Sequence, residues 1–321
     1  MQRREFLAAA LASGLAGTAR AQADFPARPL KMVVPFAPGG ATDVTARLVA
    51  QKLSDLLRQQ VLVENRPGGG SVVGTDFVAK SPPDGYTLVM AANSCIAPGP
   101  LMRASMPYDA VNDLTHLALV GSFPNGLVVR ADHPAKTMAE FVAMARGKPG
   151  SINYSSAGIG SSGFLSGELL KLKAKIDIVH IPYKGTGPAT ADLLGGQLDA
   201  MFDGLVTATP HIRGGRMRLL AVTSAERART FPDVPSTNEV IPGVVGAAWF
   251  GVSAPAKLPQ AIVDRLSGEI LRALAMPDVQ ARLADIGMTV IAGGPREYAA
   301  HIAAENALYG PVIRAAKIRI D

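Results

Sequence analysis

The stretch Leu30-Lys-Met-Val-Val-Pro-Phe-Ala-Pro-Gly-Gly-Ala-Thr-Asp43 indicates the fold class of this chain. Residues 30–36 are apolar apart from Lys31, which is typical of a buried strand. The following Ala37-Pro-Gly-Gly40 predicts a tight turn, and residues 42–58 carry Val and Leu at helical spacing. The stretch therefore predicts a strand, a glycine turn and a helix, in that order.

The same unit of strand, turn and helix repeats along the chain. It recurs as a strand at 61–64, a turn at Pro67-Gly-Gly-Gly70, a helical stretch that ends near Lys80 and a strand at 86–91. A second series begins near Gly126, with strands predicted at 127–130, 152–154, 176–181, 200–202 and 219–223 and helices at 138–146, 162–173, 189–194 and before Gly214. Repeated βα units predict an α/β fold with two domains, each a mainly parallel sheet flanked by helices.

The last part of the chain returns to the first domain in this interpretation. Proline-punctuated loops lead to a strand predicted at 247–253, and apolar residues then recur at spacings of four from Ile262 to Leu274. This helical tail is expected to contain no further strand and to pack on the first domain. We therefore expect domain 1 to comprise residues 24–125 plus 247–321 and domain 2 residues 126–246, with a cleft between them.

Composition excludes several classes of protein. The 321 residues suit about two domains, and 48% hydrophobic with 18% charged residues excludes a disordered chain and a long helical rod. The single cysteine, Cys95, cannot form an internal disulfide. The net charge is +6, but Gly214, Gly215 and Glu226 interrupt the densest basic stretch. No nucleic-acid partner is therefore expected.

Residues 1–23 have the pattern of an export signal. Adjacent Arg3 and Arg4 precede an uncharged run, and the small-residue steps after it predict cleavage near Ala21 or Ala23. The apolar run is shorter than the roughly 20 residues of a membrane span. The arginine pair also resembles a twin-arginine signal. The sequence thus predicts a mature protein in the periplasm.

Two glycine turns carry the candidate binding chemistry, one in each predicted domain. They are Phe36-Ala-Pro-Gly-Gly-Ala-Thr-Asp43 and Tyr154-Ser-Ser-Ala-Gly-Ile-Gly-Ser-Ser-Gly163. Free N–H groups and the positive dipole end of the following helix make each turn a candidate site for a carboxylate or phosphate. Each turn alone is also explained as a sharp βα turn capped by Thr42 or Ser161. Their pairing across the two domains favours a ligand cleft.

An enzymatic alternative stays open on the residues alone. Gly158, Gly160 and Gly163 match the Gly-x-Gly-x-x-Gly pattern, which predicts an exported NAD(P)-binding oxidoreductase. The next strand ends at Pro182-Tyr-Lys184, without the acidic residue that such a site uses for a ribose hydroxyl. The histidines occur singly, so no metal site is expected. Lys184 either faces the cleft or is solvated, and Asp203 either accepts from a ligand or caps a helix.

Several motifs in a fixed order resemble one family of proteins. They are Val33-Val-Pro-Phe-Ala-Pro-Gly-Gly40 with Asp43, Val63-Glu-Asn-Arg-Pro-Gly68, Pro83-Asp-Gly-Tyr-Thr-Leu88, Asn153-Tyr-Ser-Ser-Ala-Gly158, His180-Ile-Pro-Tyr-Lys-Gly185, Asp192-Leu-Leu-Gly-Gly196 and Ala221-Val-Thr-Ser224. Together they resemble the Bug family, the periplasmic solute-binding receptors of the tripartite tricarboxylate transporter type. The resemblance covers essentially the whole mature chain.

The resemblance implies a two-domain clamshell of the type II periplasmic binding protein kind that closes on a small organic acid. It implies no catalysis and no cofactor, and a monomer that delivers its ligand to a membrane permease of the tripartite tricarboxylate type or to a sensor kinase. Carried over to this chain, the ligand-binding residues are Phe36, Ala37, Gly39, Gly40, Asp43, Ser94, Ser156, Gly158, Gly160, Ser161, Ser162, Tyr183, Lys184, Gly185 and Asp203. The chain has Phe164 where the family commonly has histidine, which favours a more apolar pocket.

Overall fold

The computed structural model describes residues 25–315 and 317–320. The predicted export signal at 1–23 lies outside the described residues. The strands are β1 Leu30–Val34, β2 Val61–Asn65, β3 Thr87–Ala92, β4 Leu114–Arg130, β5 Asn153–Ser155, β6 Val179–Ile181, β7 Ala200–Gly204, β8 Met217–Val222, β9 Ala247–Pro255 and β10 Thr289–Gly293. The α-helices are α1 Ala41–Leu57, α2 Val72–Ala79, α3 Met138–Gly147, α4 Ser162–Ala174, α5 Thr186–Leu194, α6 Leu205–Arg213, α7 Thr237–Val240, α8 Gln260–Ala275, α9 Pro277–Asp285 and α10 Pro295–Ala315. Short 3₁₀ turns occupy Gly69–Ser71 and Gly99–Met102.

The predicted α/β fold is confirmed, but the sheet is mixed rather than mainly parallel. Its strand order is β2-β1-β3-β9-β4-β7-β5-β6, and β8 and β10 also pair with β4. The sets β2-β1-β3 and β7-β5-β6 are each parallel, whereas β9 and β4 pair antiparallel with their neighbours. The carboxyl ends of both parallel sets face the expected cleft, so the two sets run in opposite directions. A strand that passes from one set into the other is therefore antiparallel to one of them.

That crossing strand is β4, and the prediction of a strand at 127–130 captured only its end. Up to Pro124, β4 pairs with β9, and from Asn125 onward it pairs with β7 and β8. Gly121, Pro124 and Gly126 interrupt the apolar pattern, and such residues normally indicate a loop. Pairing on both sides overrides this local signal. The residue ranges of the two domains stay a prediction, with Asn125 as the point at which β4 changes partners.

The helical tail also departs from the prediction. β10 lies within it and pairs antiparallel with β4, with Val290 opposite Gly121. Its apolar run, Val290-Ile-Ala292, is short and follows a helix, and only Gly293 of the strand is buried. The last helix, α10, has 21 residues and is about 30 Å long. Tyr298 near its start packs in the core beside β1, β3 and β9, and Ile313 near its end packs in the core beside β4, β5 and β7. The tail thus packs on both cores because α10 is long enough to reach both.

Candidate functional site

A cavity of about 40 Å³ lies between the two glycine turns. Five of the predicted site residues line it: Phe36, Gly40, Ser94, Ser161 and Ser162. Sequence reasoning missed the other lining residues, which are Ala41, Thr42, Ala92, Asn93, Phe123, Asn125, Ala157, Thr186, Gly204, Ala248 and Phe250.

Four helices begin at the cavity wall. These are α1, α4, α5 and α6, and the residues Gly40, Ser161, Gly185 and Gly204 stand at their N-caps. The three glycine caps make no side-chain hydrogen bond, so N–H groups in these first turns lack an intrahelical partner. The dipoles add positive potential at the same place. No residue of the wall described above carries a charged side chain. The cavity therefore suits an anion held by neutral donors.

Two donors in the wall are buried without a partner. Neither the Asn125 Nδ2 nor the Thr186 Oγ1 forms a hydrogen bond within residues 25–315 and 317–320. The Ser162 hydroxyl donates to the Asn125 Oδ1 at 3.3 Å, which leaves the amide nitrogen as the free end. An unsatisfied buried donor costs about 1–3 kcal/mol. A ligand that accepts from both groups would remove that cost.

The loop after β3 contributes the third polar part of the wall. The Ser94 hydroxyl lies 2.7 Å from the Ser71 hydroxyl, which fixes its position. Beside it, Asn93 is buried and also lines the cavity. This loop can therefore offer one neutral amide to a ligand.

Asp43 holds the first turn and does not line the cavity. Its carboxylate accepts from the Gly39 amide, from Asn65 and from Arg47 at 2.9–3.0 Å. Burial raises the pKa of Asp43, but hydrogen bonds from Arg47, Gly39 and Asn65 outweigh it, and the net pKa lies below its usual value. Asn65 also donates to the Phe36 carbonyl at 3.0 Å. The carboxylate of Asp43 therefore stabilises the turn and does not face the ligand cavity.

Hydrogen bonds from side chains of the protein also fix the second turn. The Ser156 hydroxyl lies 2.9 Å from His180 Nε2 and accepts from the Gly158 amide at 3.2 Å. Ser161 caps α4 by accepting from the Phe164 amide. The Phe164 ring packs on His180 with centroids 5.0 Å apart, so it does not enter the cavity. Burial lowers the pKa of His180 to about 4, which keeps the ring neutral.

The glycine pattern of the second turn is explained by packing within the protein. A Cβ at Gly158 would lie 2.5 Å from the Tyr183 carbonyl oxygen, and one at Gly163 would lie 2.7 Å from the Phe202 carbonyl oxygen. Gly160 has a φ of +85°, which favours glycine whatever surrounds it. The Gly-x-Gly-x-x-Gly match therefore needs no dinucleotide to account for it.

Four other predicted site residues do not line the cavity, and these are Tyr183, Lys184, Gly185 and Asp203. The Tyr183 hydroxyl donates to Asp192 at 2.5 Å, and burial followed by this bond raises the pKa of Tyr183 to about 12. Lys184 is exposed, so of its two expected positions the solvated one is observed. Its carbonyl oxygen accepts from the Ala37 amide at 2.8 Å, and Gly185 lies against Ala37.

Asp203 is fully buried just before the α6 cap. Its Oδ1 accepts from the Thr207 hydroxyl at 2.5 Å, and its Oδ2 has no partner among the described residues. Burial raises the pKa of Asp203 to about 7, and the hydrogen bonds from Thr207 and the Gly204 amide offset this only in part. The Asp203 carboxyl does not line the cavity.

The two halves meet on both sides of the cavity. On one side the Ala37 amide bonds the Lys184 carbonyl, and a Cβ at Gly40 would lie 2.8 Å from the Thr186 hydroxyl. On the other side a Cβ at Gly70 would overlap the carbonyl oxygen of Ile159. The approach at Gly70 leaves no room for a Cβ, and the walls of the cavity are in contact on both sides.

Across residues 25–315 and 317–320, no helix is both long and apolar enough to cross a bilayer. In the same residues, no group of three or more histidine, cysteine or acidic side chains is placed to hold a metal ion.

Solved structures place the fold among the two-domain periplasmic binding proteins. Periplasmic binding protein BugD superposes with a TM-score of 0.88 at 32% identity, covering 92% of this chain and 99% of that one. Rpa4515 of R. palustris with adipate gives 0.88 at 34%, with the same coverage. MatC from Rhodopseudomonas palustris with bound malate gives 0.86 at 34%, covering 90% of this chain and all of that one.

Proteins of similar sequence identify the family within the periplasmic binding proteins. BugT of Bordetella pertussis is 38% identical over 292 residues, which is 90% of each chain. The model of the tripartite tricarboxylate transporter family receptors matches residues 45–318. The chain belongs to this family of receptors, which includes the Bug proteins, and the predicted resemblance is confirmed. The family consists of periplasmic solute-binding receptors and is not a family of enzymes.

Proposed function

We propose that this protein captures a small organic carboxylate in the cavity between its two halves. The observation that carries the proposal is the uncharged wall in which Asn125 Nδ2 and Thr186 Oγ1 are buried without a partner, at the start of four helices. A carboxylate accepts several hydrogen bonds at once and is favoured by the helix dipoles. The bound adipate and malate of the two solved relatives support the same chemistry.

The residues divide into two roles under this proposal. The predicted residues Phe36, Gly40, Ser94, Ser161 and Ser162 contact the ligand, together with Asn125 and Thr186. The remaining predicted residues position the turns or close the cleft, and these are Ala37, Gly39, Asp43, Ser156, Gly158, Gly160, Tyr183, Lys184, Gly185 and Asp203.

Ligand binding and closure are coupled in this proposal. The first half comprises residues 24–125 and 247–321, and the second comprises residues 126–246. The two halves hinge where β4 passes from one to the other. Ser162 and Thr186 belong to the second half, whereas Gly40 and Ser94 belong to the first, and Asn125 lies where β4 changes partners between them. A ligand that bridges them interacts with the closed form more strongly than with the open form, so it shifts the population toward closure.

The cellular role follows from the family. We propose that residues 1–23 direct export and are removed near Ala21 or Ala23, and that the mature monomer works in the periplasm. It then delivers the acid to a membrane permease of the tripartite tricarboxylate type or to a sensor kinase. Membership of a receptor family whose solved members are periplasmic supports this assignment.

A thermal-shift screen tests the proposal. Protein purified after export is unfolded, dialysed and refolded to remove carried-over ligand, then mixed with mono-, di- and tricarboxylates, amino acids and NAD(P). A ligand at 100 times its Kd adds about 2.7 kcal/mol, which raises the midpoint by about 5 °C in a chain of this size. We expect a rise with at least one carboxylate and none with NAD(P). A rise only with NAD(P) would replace the receptor assignment by the oxidoreductase.

A further inference from the structure

One buried carboxyl group lies at the same helix N-terminus as the ligand cavity. Gly204 caps α6 and lines the cavity, and Asp203 is the residue before it. The Asp203 side chain bonds to the start of the same helix, because it accepts from the Gly204 amide and from the Thr207 hydroxyl. The cavity of about 40 Å³ takes about three water-sized groups at roughly 10–15 Å³ each, so an anion bound in it lies close to Gly204. Asp203 and the ligand therefore share the positive end of one helix dipole.

Within the described part of the chain, no cation compensates the charge of Asp203. Its side chain is fully buried, and its Oδ2 has no hydrogen-bond partner in residues 25–315 and 317–320. Strand β7, which carries it, packs against β4, β5, α4, α5 and α6. None of the charged or titratable side chains on these elements forms a hydrogen bond or an ion pair with Asp203. They are His116 and Arg130 on β4, Tyr154 on β5, Glu168, Lys171 and Lys173 on α4, Asp192 on α5, and His211 and Arg213 on α6.

A second negative charge at this helix favours the protonated form of Asp203. Burial already raises the pKa of Asp203 to about 7, so near neutral pH the group is close to half protonated before any ligand binds. Two unit charges about 10 Å apart, in a medium of effective dielectric constant about 20, repel enough to change an equilibrium constant about tenfold. A bound carboxylate is repelled by the ionised form of Asp203 and not by the neutral form. Protonation of Asp203 and capture of the anion therefore favour each other.

We infer that the protein binds a proton at Asp203 together with its carboxylate ligand. The inference rests on the proposed function and adds a second bound species to it. The proton comes from solvent and adds to the Asp203 carboxylate, and no bond of the ligand changes. Affinity is then highest where Asp203 is already protonated in the free protein, and it falls about tenfold between about pH 6 and 8.5, where Asp203 of the free protein ionises.

Calorimetry measures the proton directly. The ligand-stripped protein is titrated with adipate, with malate and with the tightest acid of the thermal-shift screen, in Bis-Tris and in Tris, two cationic buffers of different ionisation enthalpy. We expect uptake of about half a proton per bound ligand near pH 7.5, and an affinity about tenfold weaker at pH 8.5 than at pH 6. Binding without proton uptake overturns the inference and leaves the proposed function standing. Absence of binding by every carboxylate overturns both.

Two variants assign the proton to one carboxyl group. Asp203→Asn keeps this side chain neutral at every pH, so its proton uptake should vanish and its affinity should not change between pH 6 and 8.5. Glu305→Gln is the matched control, because burial also raises the pKa of Glu305 to about 7, but Glu305 accepts from Trp249 Nε1 at 3.1 Å and does not line the cavity. Its proton uptake should equal that of the wild type. Loss of uptake in Glu305→Gln, or uptake retained in Asp203→Asn with a normal thermal midpoint, overturns the assignment.

Thr207→Val gives an independent check that does not remove the carboxyl group. It deletes the hydroxyl that donates to the Asp203 carboxylate and so removes a contact that stabilises the ionised form. Asp203 should then hold its proton to higher pH, and the pH at which affinity falls should rise with it. A profile that stays in place or moves to lower pH contradicts the assignment of the proton to Asp203.

Discussion

Asn125 offers the sharpest test of how the cavity binds an anion. Its side-chain nitrogen is buried in the wall without a partner, and only a weak bond of 3.3 Å from Ser162 reaches its oxygen. The change Asn125→Ala therefore removes a donor that the unliganded protein does not use. Affinity and stability should respond in different ways.

The magnitudes follow from hydrogen-bond energetics. A hydrogen bond to a charged group contributes about 1.5–3 kcal/mol, and about 1.4 kcal/mol corresponds to a tenfold change in Kd. Affinity for the tightest carboxylate of the screen should thus fall about ten- to a hundredfold. The stability of the unliganded protein should stay within about 1 kcal/mol, because loss of the weak Ser162 bond is offset by removal of an unsatisfied buried amide.

Asn238→Ala supplies the matched control. The Asn238 Oδ1 accepts from the Gly243 amide at 2.9 Å in a loop outside the cavity. Its loss should lower the unfolding free energy by about 1 kcal/mol and leave affinity unchanged. Calorimetry gives the affinities, and urea unfolding of ligand-free protein gives the stabilities. An affinity of Asn125→Ala within threefold of the wild type, or a stability loss above 2 kcal/mol, would refute the reasoning.

Three further predictions address closure, charge and pH. Gly70→Ala should hinder closure, because its Cβ would overlap the Ile159 carbonyl oxygen, and should abolish the ligand-induced compaction measured by small-angle scattering; unchanged compaction contradicts it. Lys184→Met should weaken carboxylate binding less than threefold in calorimetry, because the side chain is exposed and only the backbone of Lys184 contacts the other half; a tenfold loss would reveal an ion pair. Burial raises the pKa of Asp203 from 3.8 to about 7, so the folded state binds its proton more tightly than the unfolded state does. Its contribution to stability is present at low pH and is lost between about pH 4 and 7, and Asp203→Asn should flatten the decline of the thermal midpoint there; an unchanged slope refutes the assignment.

Local patterns predicted the elements that carry strong apolar periodicity. The strand in the opening stretch, its glycine turn and α1 were all found within two residues of the expected positions. The long strand β4 was mostly missed, because Gly121 and Pro124 resemble loop residues and only pairing with β9 keeps them extended. β10 was missed because its apolar run of three residues is too short to distinguish a strand from a helix end, and its pairing partner is the distant β4.

The candidate site was predicted in outline only. Glycine turns identified its location, and five of the expected residues line the cavity. Asp43 and Ser156 were predicted as ligand groups, and in the structure their side chains bond to other parts of the protein, Asp43 to Gly39, Asn65 and Arg47 and Ser156 to Gly158 and His180. Asn125 and Thr186 were missed, although each adjoins a glycine, since nothing in the sequence tells a satisfied polar side chain from an unsatisfied one.

The amino-acid sequence by itself determined most of the strands and helices, the two glycine turns and the family of receptors to which the chain belongs. These depend on residue spacing and on backbone freedom at glycine, which are local properties. Tertiary structure decided which donors stay free and which apolar side chains share one face. Both depend on contacts between residues far apart in the chain, such as Ser162 with Asn125 and Phe123 with Ala248, which exist only once the strands have paired.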